Sequence, residues 1–389
     1  MFLIINIYKK IMIVNFLNIF LIILLSSCSE KDLDVQAITT ANRDSLLRVD
    51  SLNRIDSLRK LSPSHQVDSL EFTGLEKVIR LTENINNPKS VVISPDGRYA
   101  YINNLEGMNT MIINTETYET VSIIEHTGKP VEFGITLNGR FIWITYFRLL
   151  EEGFPKNLGV ESAYRYPSVV VVYDTLAKEL VKRIDVGIIP KIIAVSPDEK
   201  LVFVANWNSY DISVISTENY QVIKTIKVGT IPRGVEFTPD GKYAYVCNFG
   251  GSTISKIDVP SLEVISTIKD AGISPRDMVI SSDGDYAYFS AYGDGYLRKL
   301  DLKTDEVVDK IKIGIQPRSV CMTNNNKYLF VVNYKNGTVN AIDLTEFKML
   351  DEYDADIGAV GVALSPDNKF LWVTNQSTGS VIVYRVNYR

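Results

Sequence analysis

A proline recurs along most of this chain at nearly constant spacing. It falls at Pro88, Pro130, Pro190, Pro232, Pro275 and Pro317, with Ala359 in a seventh slot, at intervals of 42, 60, 42, 43, 42 and 42 residues. The interval of 60 reads as one repeat carrying an insertion. Every copy has the pattern strand, tight turn, strand. In the fourth, residues 235–238 and 242–247 alternate apolar and polar around Pro239-Asp240-Gly241, and residues 252–258 and 263–268 supply two further strands. Turns of the same kind stand at Pro95-Asp96-Gly97, Asn138-Gly139, Pro197-Asp198-Glu199, Ser282-Asp283-Gly284, Asn324-Asn325-Asn326 and Pro366-Asp367-Asn368. Four strands in a period near forty residues predict an all-β chain folded as a seven-bladed β-propeller with four-stranded blades.

Two details sharpen that expectation. The third and fifth residues after each proline slot are large and apolar: Val91/Ile93, Phe133/Ile135, Ile193/Val195, Val235/Phe237, Met278/Ile280, Val320/Met322 and Val362/Leu364. The second and fourth are mostly small, among them Ser90, Gly134, Ala194, Gly234, Ser319, Gly361 and Ala363. Such alternation suits the crowded innermost strands of a propeller. The seventh repeat stops after its third strand, residues 380–386, and its missing fourth parallels residues 76–81 at the start of the domain. An N-terminal strand completing the last blade closes the ring and leaves no long open edge.

The second strand of a repeat ends in Tyr-Ile-Asn-Asn104, Phe-Val-Ala-Asn206, Tyr-Val-Cys-Asn248, Phe-Val-Val-Asn333 or Trp-Val-Thr-Asn375. With the Pro-Asp-Gly-Lys-Tyr turn, these resemble the YVTN family of β-propeller repeats over residues 75–389. Trp143-Ile-Thr-Tyr146 and Tyr288-Phe-Ser-Ala291 depart by lacking the asparagine. The family includes surface antigens, periplasmic binding proteins and relatives of lactonases and of quinoprotein or haem dehydrogenases, so the resemblance implies a fold and not an activity.

Ahead of the propeller, residues 1–28 read as an export signal. Lys9 and Lys10 precede an apolar run, residues 11–25, too short for a membrane span. The run ends in Leu25-Ser26-Ser27-Cys28, which resembles the lipobox of bacterial lipoproteins. The resemblance implies lipidation of Cys28 and attachment to the outer membrane in the cell envelope, facing the periplasm or the surface. An acidic stretch, residues 29–34, is similar to signals that send some lipoproteins to the cell surface. Residues 29–69 read as a linker. Within it Asp-Ser-Leu recurs at 44, 50 and 56, with acid-to-base pairs four residues apart (Asp44 with Arg48, Asp50 with Arg54, Asp56 with Lys60) that favour helix modestly. The apolar residues recur every third position and form no fixed stripe. A solvated, partly helical stalk is expected, with a self-associating coil as the other reading.

Function is less legible. Net charge is −5 with both signs interspersed, which argues against nucleic acid as a partner. With two histidines, His65 and His126, and three cysteines, zinc, copper and haem chemistry lacks its usual ligands. No nucleophile elbow accompanies His126. Cys247 and Cys321, two repeats apart, read as buried small hydrophobes and not as a disulfide.

The loops entering the first strand and leaving the second share one face of a propeller. There, the residue after the proline slot is basic in five repeats: Lys89, Lys191, Arg233, Arg276 and Arg318, with Val131 and Val360 breaking the ring. The residue after the asparagine slot is aromatic at Phe147, Trp207, Phe249, Tyr292 and Tyr334. Cations and flat apolar faces at a channel mouth suit an anionic, glycan-like or peptide ligand. The structural alternative is that each cation bonds a neighbouring blade's carbonyls and each ring wedges between blades. The insertion, residues 148–167, belongs to the same face, with Tyr164, Arg165 and Tyr166 as its contact residues and Glu151 and Glu152 as solvated charges. The expectation is a monomeric binding or scaffold module, without cofactor or metal, whose ligand or envelope partner sits at the mouth. The alternatives are a lactonase-like hydrolase, a quinoprotein-like redox subunit, or a structural envelope protein. The asparagine ring superficially invites a divalent ion, yet it is the repeat's structural signature.

Overall fold

A computed structural model of the protein describes residues 70–150 and 165–389. The export signal, Cys28, the stalk, Glu151, Glu152 and Tyr164 lie outside the described residues. Within these, the chain forms seven four-stranded antiparallel sheets and no helix. It is a seven-bladed β-propeller. The innermost strands are Pro88–Ile93, Gly128–Thr136, Pro190–Val195, Pro232–Phe237, Pro275–Ile280, Pro317–Met322 and Ala359–Leu364. They define blades 1 to 7 in chain order, and in blades 1 to 6 successive strands step outward.

Blade 7 is completed from the other end of the chain. Phe72–Leu81 pairs antiparallel with Ser380–Tyr388, from Phe72 opposite Tyr388 to Leu81 opposite Val381. The Phe72 ring packs on Tyr328, Phe330 and Tyr388, at centroid distances of 5.6, 5.9 and 6.5 Å, and the Phe72 amide donates to Tyr328 Oη at 3.0 Å. The closing strand therefore clasps blade 6 as well as blade 7.

The large-and-small alternation explains where the core lies. Seven apolar clusters fill the seven contacts between neighbouring blades, as where Phe203 of blade 3 meets Phe237 of blade 4 at 4.6 Å. Each such ring contributes about 1.5–3 kcal/mol through burial. The axis is left as a channel lined by the innermost strands.

One end of the channel is built from the Pro-Asp-Gly turns. A hydroxyl just ahead of each turn is bonded to the turn's Asp or Asn in six blades: Ser94 to Asp96, Ser196 to Asp198, Thr238 to Asp240, Ser281 to Asp283, Thr323 to Asn325 and Ser365 to Asp367. This side-chain mimicry of a backbone turn fixes the hairpin register. The other end, where the second strands finish, is the mouth. The second strand of blade 2 runs on as Phe141–Leu149, with Leu149 opposite Gly128. Arg148 and Leu149, expected in the insertion, thus belong to an elongated hairpin, because the first strand of that blade starts two residues ahead of its proline.

Candidate functional site

At the mouth, blades 1, 3, 4, 5 and 6 repeat one backbone device. The residue just before the proline slot has a left-handed conformation: Asn87, Ile189, Ile231, Ser274 and Gln316 have φ of 58, 55, 56, 57 and 56°. For a β-branched residue such as Ile189 or Ile231 this costs of order 1–3 kcal/mol. The carbonyl of the same residue accepts the amide of the rim aromatic, as from Trp207 to Ile189 (2.9 Å), Phe249 to Ile231 (2.9 Å), Tyr292 to Ser274 (2.9 Å) and Tyr334 to Gln316 (3.1 Å). Pairing with the second strand then slips immediately after the proline, between Pro232 and Val235 in blade 4 and likewise in the others. The basic residue stands inside that irregularity. Such a bulge turns a side chain out of the sheet's regular alternation.

The result is a collar of alternating cations and rings on blades 2 to 6. Lys191 Nζ lies 4.2 Å from the centroid of Phe147 and 4.9 Å from that of Trp207. The Arg233 guanidinium lies 6.0 Å from Trp207 and 5.9 Å from Phe249. Tyr292, whose ring meets Phe249 at 5.4 Å, is flanked by Arg276 at 5.7 Å and Arg318 at 5.9 Å. Tyr334 lies 3.6 Å from the Arg318 guanidinium. Contacts of this kind are worth roughly 0.5–2 kcal/mol each. Lys89 completes the cations from blade 1, where no aromatic accompanies it.

These cations are buried: Lys89 is 6% exposed, Lys191 6%, Arg233 8% and Arg276 4%, with Arg318 half-buried. The Arg318 guanidinium lies against the Tyr292 and Tyr334 rings, and its Nε has no partner. Among the described residues, the side chains of the other four have neither hydrogen bond nor ion pair. The structural alternative, that each cation bonds a neighbouring blade's carbonyls, therefore does not hold for these four. Burial, with repulsion from Arg318, Arg276 and Arg233, pulls the Lys89 ammonium well below its usual range. Lys191 is lowered by burial and then by Arg233, and Arg276 by burial and then by Arg233 and Arg318. Burial brings Arg233 down to about 10. Lys89 and Lys191 thus both sense the three arginines.

Three carboxyls share the channel, and sequence reasoning missed them. Glu132, Asp277 and Glu236 stand at the second and fourth positions of innermost strands, where small residues were expected; acidity at those positions was the available signal. Burial raises all three, Glu236 to about 8 with help from Asp277. Asp277 is latched to blade 6, accepting the amide of Val320 at 3.2 Å and that of Met278 at 3.1 Å.

The remaining expected positions fall elsewhere. Arg165 and Tyr166 are exposed, leading into the third strand of blade 2 (Val169–Asp174). The asparagines Asn104, Asn206, Asn248, Asn333 and Asn375 are fully buried. Their amides bond within their own blades, as from Asn206 to Asp211 and Ser213 and from Asn248 to Thr253 and Ser255. Among the described residues, no group of three or more His, Cys, Asp or Glu side chains is arranged to hold a metal ion. Cys247 and Cys321 are free thiols. Cys247 is fully buried; Cys321, expected to be buried too, is half-buried, packed against the apolar cluster between blades 6 and 7.

Fold and site together define a seven-bladed β-propeller with a cationic, aromatic-lined mouth. In sequence, residues 273–357, which span blades 5 and 6, match the family described as the Cytochrome D1 heme domain. No curated protein matches the chain. Among solved structures, it is similar to Kuenenia stuttgartiensis hydrazine synthase, at 21% identity and a TM-score of 0.68, covering 80% of this chain and 99% of that one. That likeness is one of fold.

A haem would find cations here for its carboxylates, but the described residues do not fit its iron. Their one histidine, His126, is wedged between blades 1 and 2 against Tyr146, with its Nε2 2.7 Å from Thr110 Oγ1. Burial pushes it down to about 4. Burial also raises both thiols, so neither is primed as a thiolate ligand.

Proposed function

We propose that the chain is an anion-binding β-propeller whose ligand sits at the channel mouth. The observation that carries this reading is the set of converging buried cations without ionic partners. A buried, uncompensated charge costs several kcal/mol, and a bound anion offsets that cost while the rings receive its flat or apolar part. Acidic peptides, anionic glycans and carboxylate-bearing small molecules all meet the description. Replacing Arg233, Arg276 and Arg318 together by Gln should abolish calorimetric binding of citrate while leaving the melting temperature in anion-poor buffer unchanged or higher. Equal citrate binding by the variant and the wild type would refute the site.

The same reading takes the repeats as YVTN-type, Cys28 as a lipid anchor in the outer membrane, and residues 29–69 as the stalk. Cys28→Ala should then move the protein from membrane to soluble fractions. A variant that stays in the pellet through high-salt washing carries its anchor elsewhere.

A redox propeller is the second reading, and the comparisons favour it over a generic scaffold. Its support is the match of two blades to the Cytochrome D1 heme domain and the likeness to hydrazine synthase. An organic cofactor held by its carboxylates needs cations and flat faces, both of which the collar supplies, and no iron ligand. Visible absorbance of the purified protein, lost in the triple Gln variant, is the expected sign. A lactonase-like reading has no comparable support.

A further inference from the structure

We propose that the seam between blades 7 and 1 holds a site for a neutral sugar ring, on the turn face and separate from the mouth. A cavity of about 390 Å³ lies there. Its lining includes Trp372 and Phe370 from the second strand of blade 7, Tyr118 from the outer turn of blade 1, and the carboxylates of Asp96, Glu116 and Asp367. Trp372, 1% exposed, forms the floor, and the half-buried Tyr118 and Phe370 stand above it as walls. The Trp372 and Tyr118 rings meet at 5.9 Å. The Trp372 indole N–H has no hydrogen-bond partner among the described residues, where a buried indole N–H usually finds one.

The repeat shows why that donor is left over. Trp143 and Trp372 stand at the same distance from their proline slots, as do Tyr220 and Tyr118. Between blades 2 and 3 the Trp143 and Tyr220 rings meet at 5.6 Å, and there the indole N–H donates to Thr136 Oγ1 at 3.0 Å. The hydroxyl in that slot of blade 7 is Ser365. It donates to Asp367 at 2.6 Å and accepts the Phe370 amide at 2.9 Å. Tying the hydroxyl into the turn thus withdraws it from the indole, and a donor is left in the cavity floor.

The donors and acceptors decide what fits. An ammonium ligand would suit the carboxylates and rings but has nothing to accept the indole proton. Two of the three carboxylates are already matched, Asp96 by Arg98 at 2.6 Å and Asp367 by Lys369 at 3.5 Å, so the charge left over is that of the exposed Glu116. A sugar hydroxyl both accepts from the indole and donates to a carboxylate, while the C–H face of the ring packs on Tyr118 and Phe370.

The test uses the full chain, labelled at the tryptophan indole nitrogens, with D-glucose, D-galactose and D-mannose as probes in nuclear magnetic resonance. The three tryptophans report three places: Trp372 at this seam, Trp143 in the bonded pair and Trp207 at the mouth. At millimolar concentration at least one sugar should shift the Trp372 signal and leave the other two in place. Trp372→Phe, which keeps a ring and loses the donor, should weaken binding about tenfold on the sugar's own resonances. Tyr118→Asn removes a wall yet suits the left-handed φ of 62° at that position; it should weaken binding similarly and serves if the Phe variant does not fold. Sugar binding in either variant as tight as in wild type overturns the proposal. So does a shift at Trp207 in place of Trp372, or no shift with any of the three sugars. A Trp372 shift with choline and none with the sugars would overturn it too, and make the seam a cation site.

Discussion

Ile189 and Ile231 hold a backbone conformation that isoleucine rarely adopts, and each does so two residues ahead of a collar cation. Nothing in the sequence announces this, because local propensity argues against it; the neighbouring proline and the amide of the rim aromatic impose it. The cations and rings themselves were legible, since each falls at a constant offset from a repeat landmark. Their exchange of contacts was not, because it depends on the slip in strand pairing. Glu236 shows a related limit: its identity is plain in the sequence, its protonation is not. Its folded value of about 8 stands above an ordinary 4.5, so the folded state holds the proton more tightly than the unfolded chain does. Its contribution to stability is then full below about pH 4.5 and is lost as pH rises through 8. Glu236→Gln should melt like the wild type at pH 4 and above it at pH 9. A wild type that loses no more stability than the variant between those limits would show that Glu236 ionises freely.

At the scale of the strand, close approach between blades sets what each position tolerates. Gly234 has an ordinary φ, yet a methyl there would stand 2.7 Å from the Arg276 carbonyl oxygen and 3.2 Å from the Asp277 Cα. The obstacle is backbone, so Gly234→Ala must push blades 4 and 5 apart at the level of the collar. We expect a loss of about 2 kcal/mol in chemical denaturation, together with weaker citrate binding; a variant as stable as the wild type would mean that the inner strands shift freely. The small residues at such positions were readable as a class from the repeat. Bulges were not, because a register slip belongs to a pair of strands and leaves no mark on either alone. The elongated blade 2 hairpin escaped notice for the same reason, since Leu149 finds its partner at Gly128, ahead of the proline that marked the repeat.

For the whole molecule, the count of blades and the closure of the ring were legible because both are matters of spacing, and spacing survives where contacts cannot be foreseen. The channel's charge balance was not, since it sums side chains from blades far apart in sequence. Closure by Phe72–Leu81 also brings both ends of the propeller to the turn face, where the Glu71 amide donates to the Arg389 carbonyl at 3.0 Å and the Arg389 amide returns a bond at 2.9 Å. The mouth opens on the opposite face. Tension arriving through the residues ahead of 70, resisted by whatever the mouth holds, would run lengthwise along the closing strand. Its rungs to Ser380–Tyr388 would then be sheared together, where a pull shared between Glu71 and Arg389 would part them one at a time. A load applied at Glu71 along the strand that shuts the ring would thus meet all of its rungs at once.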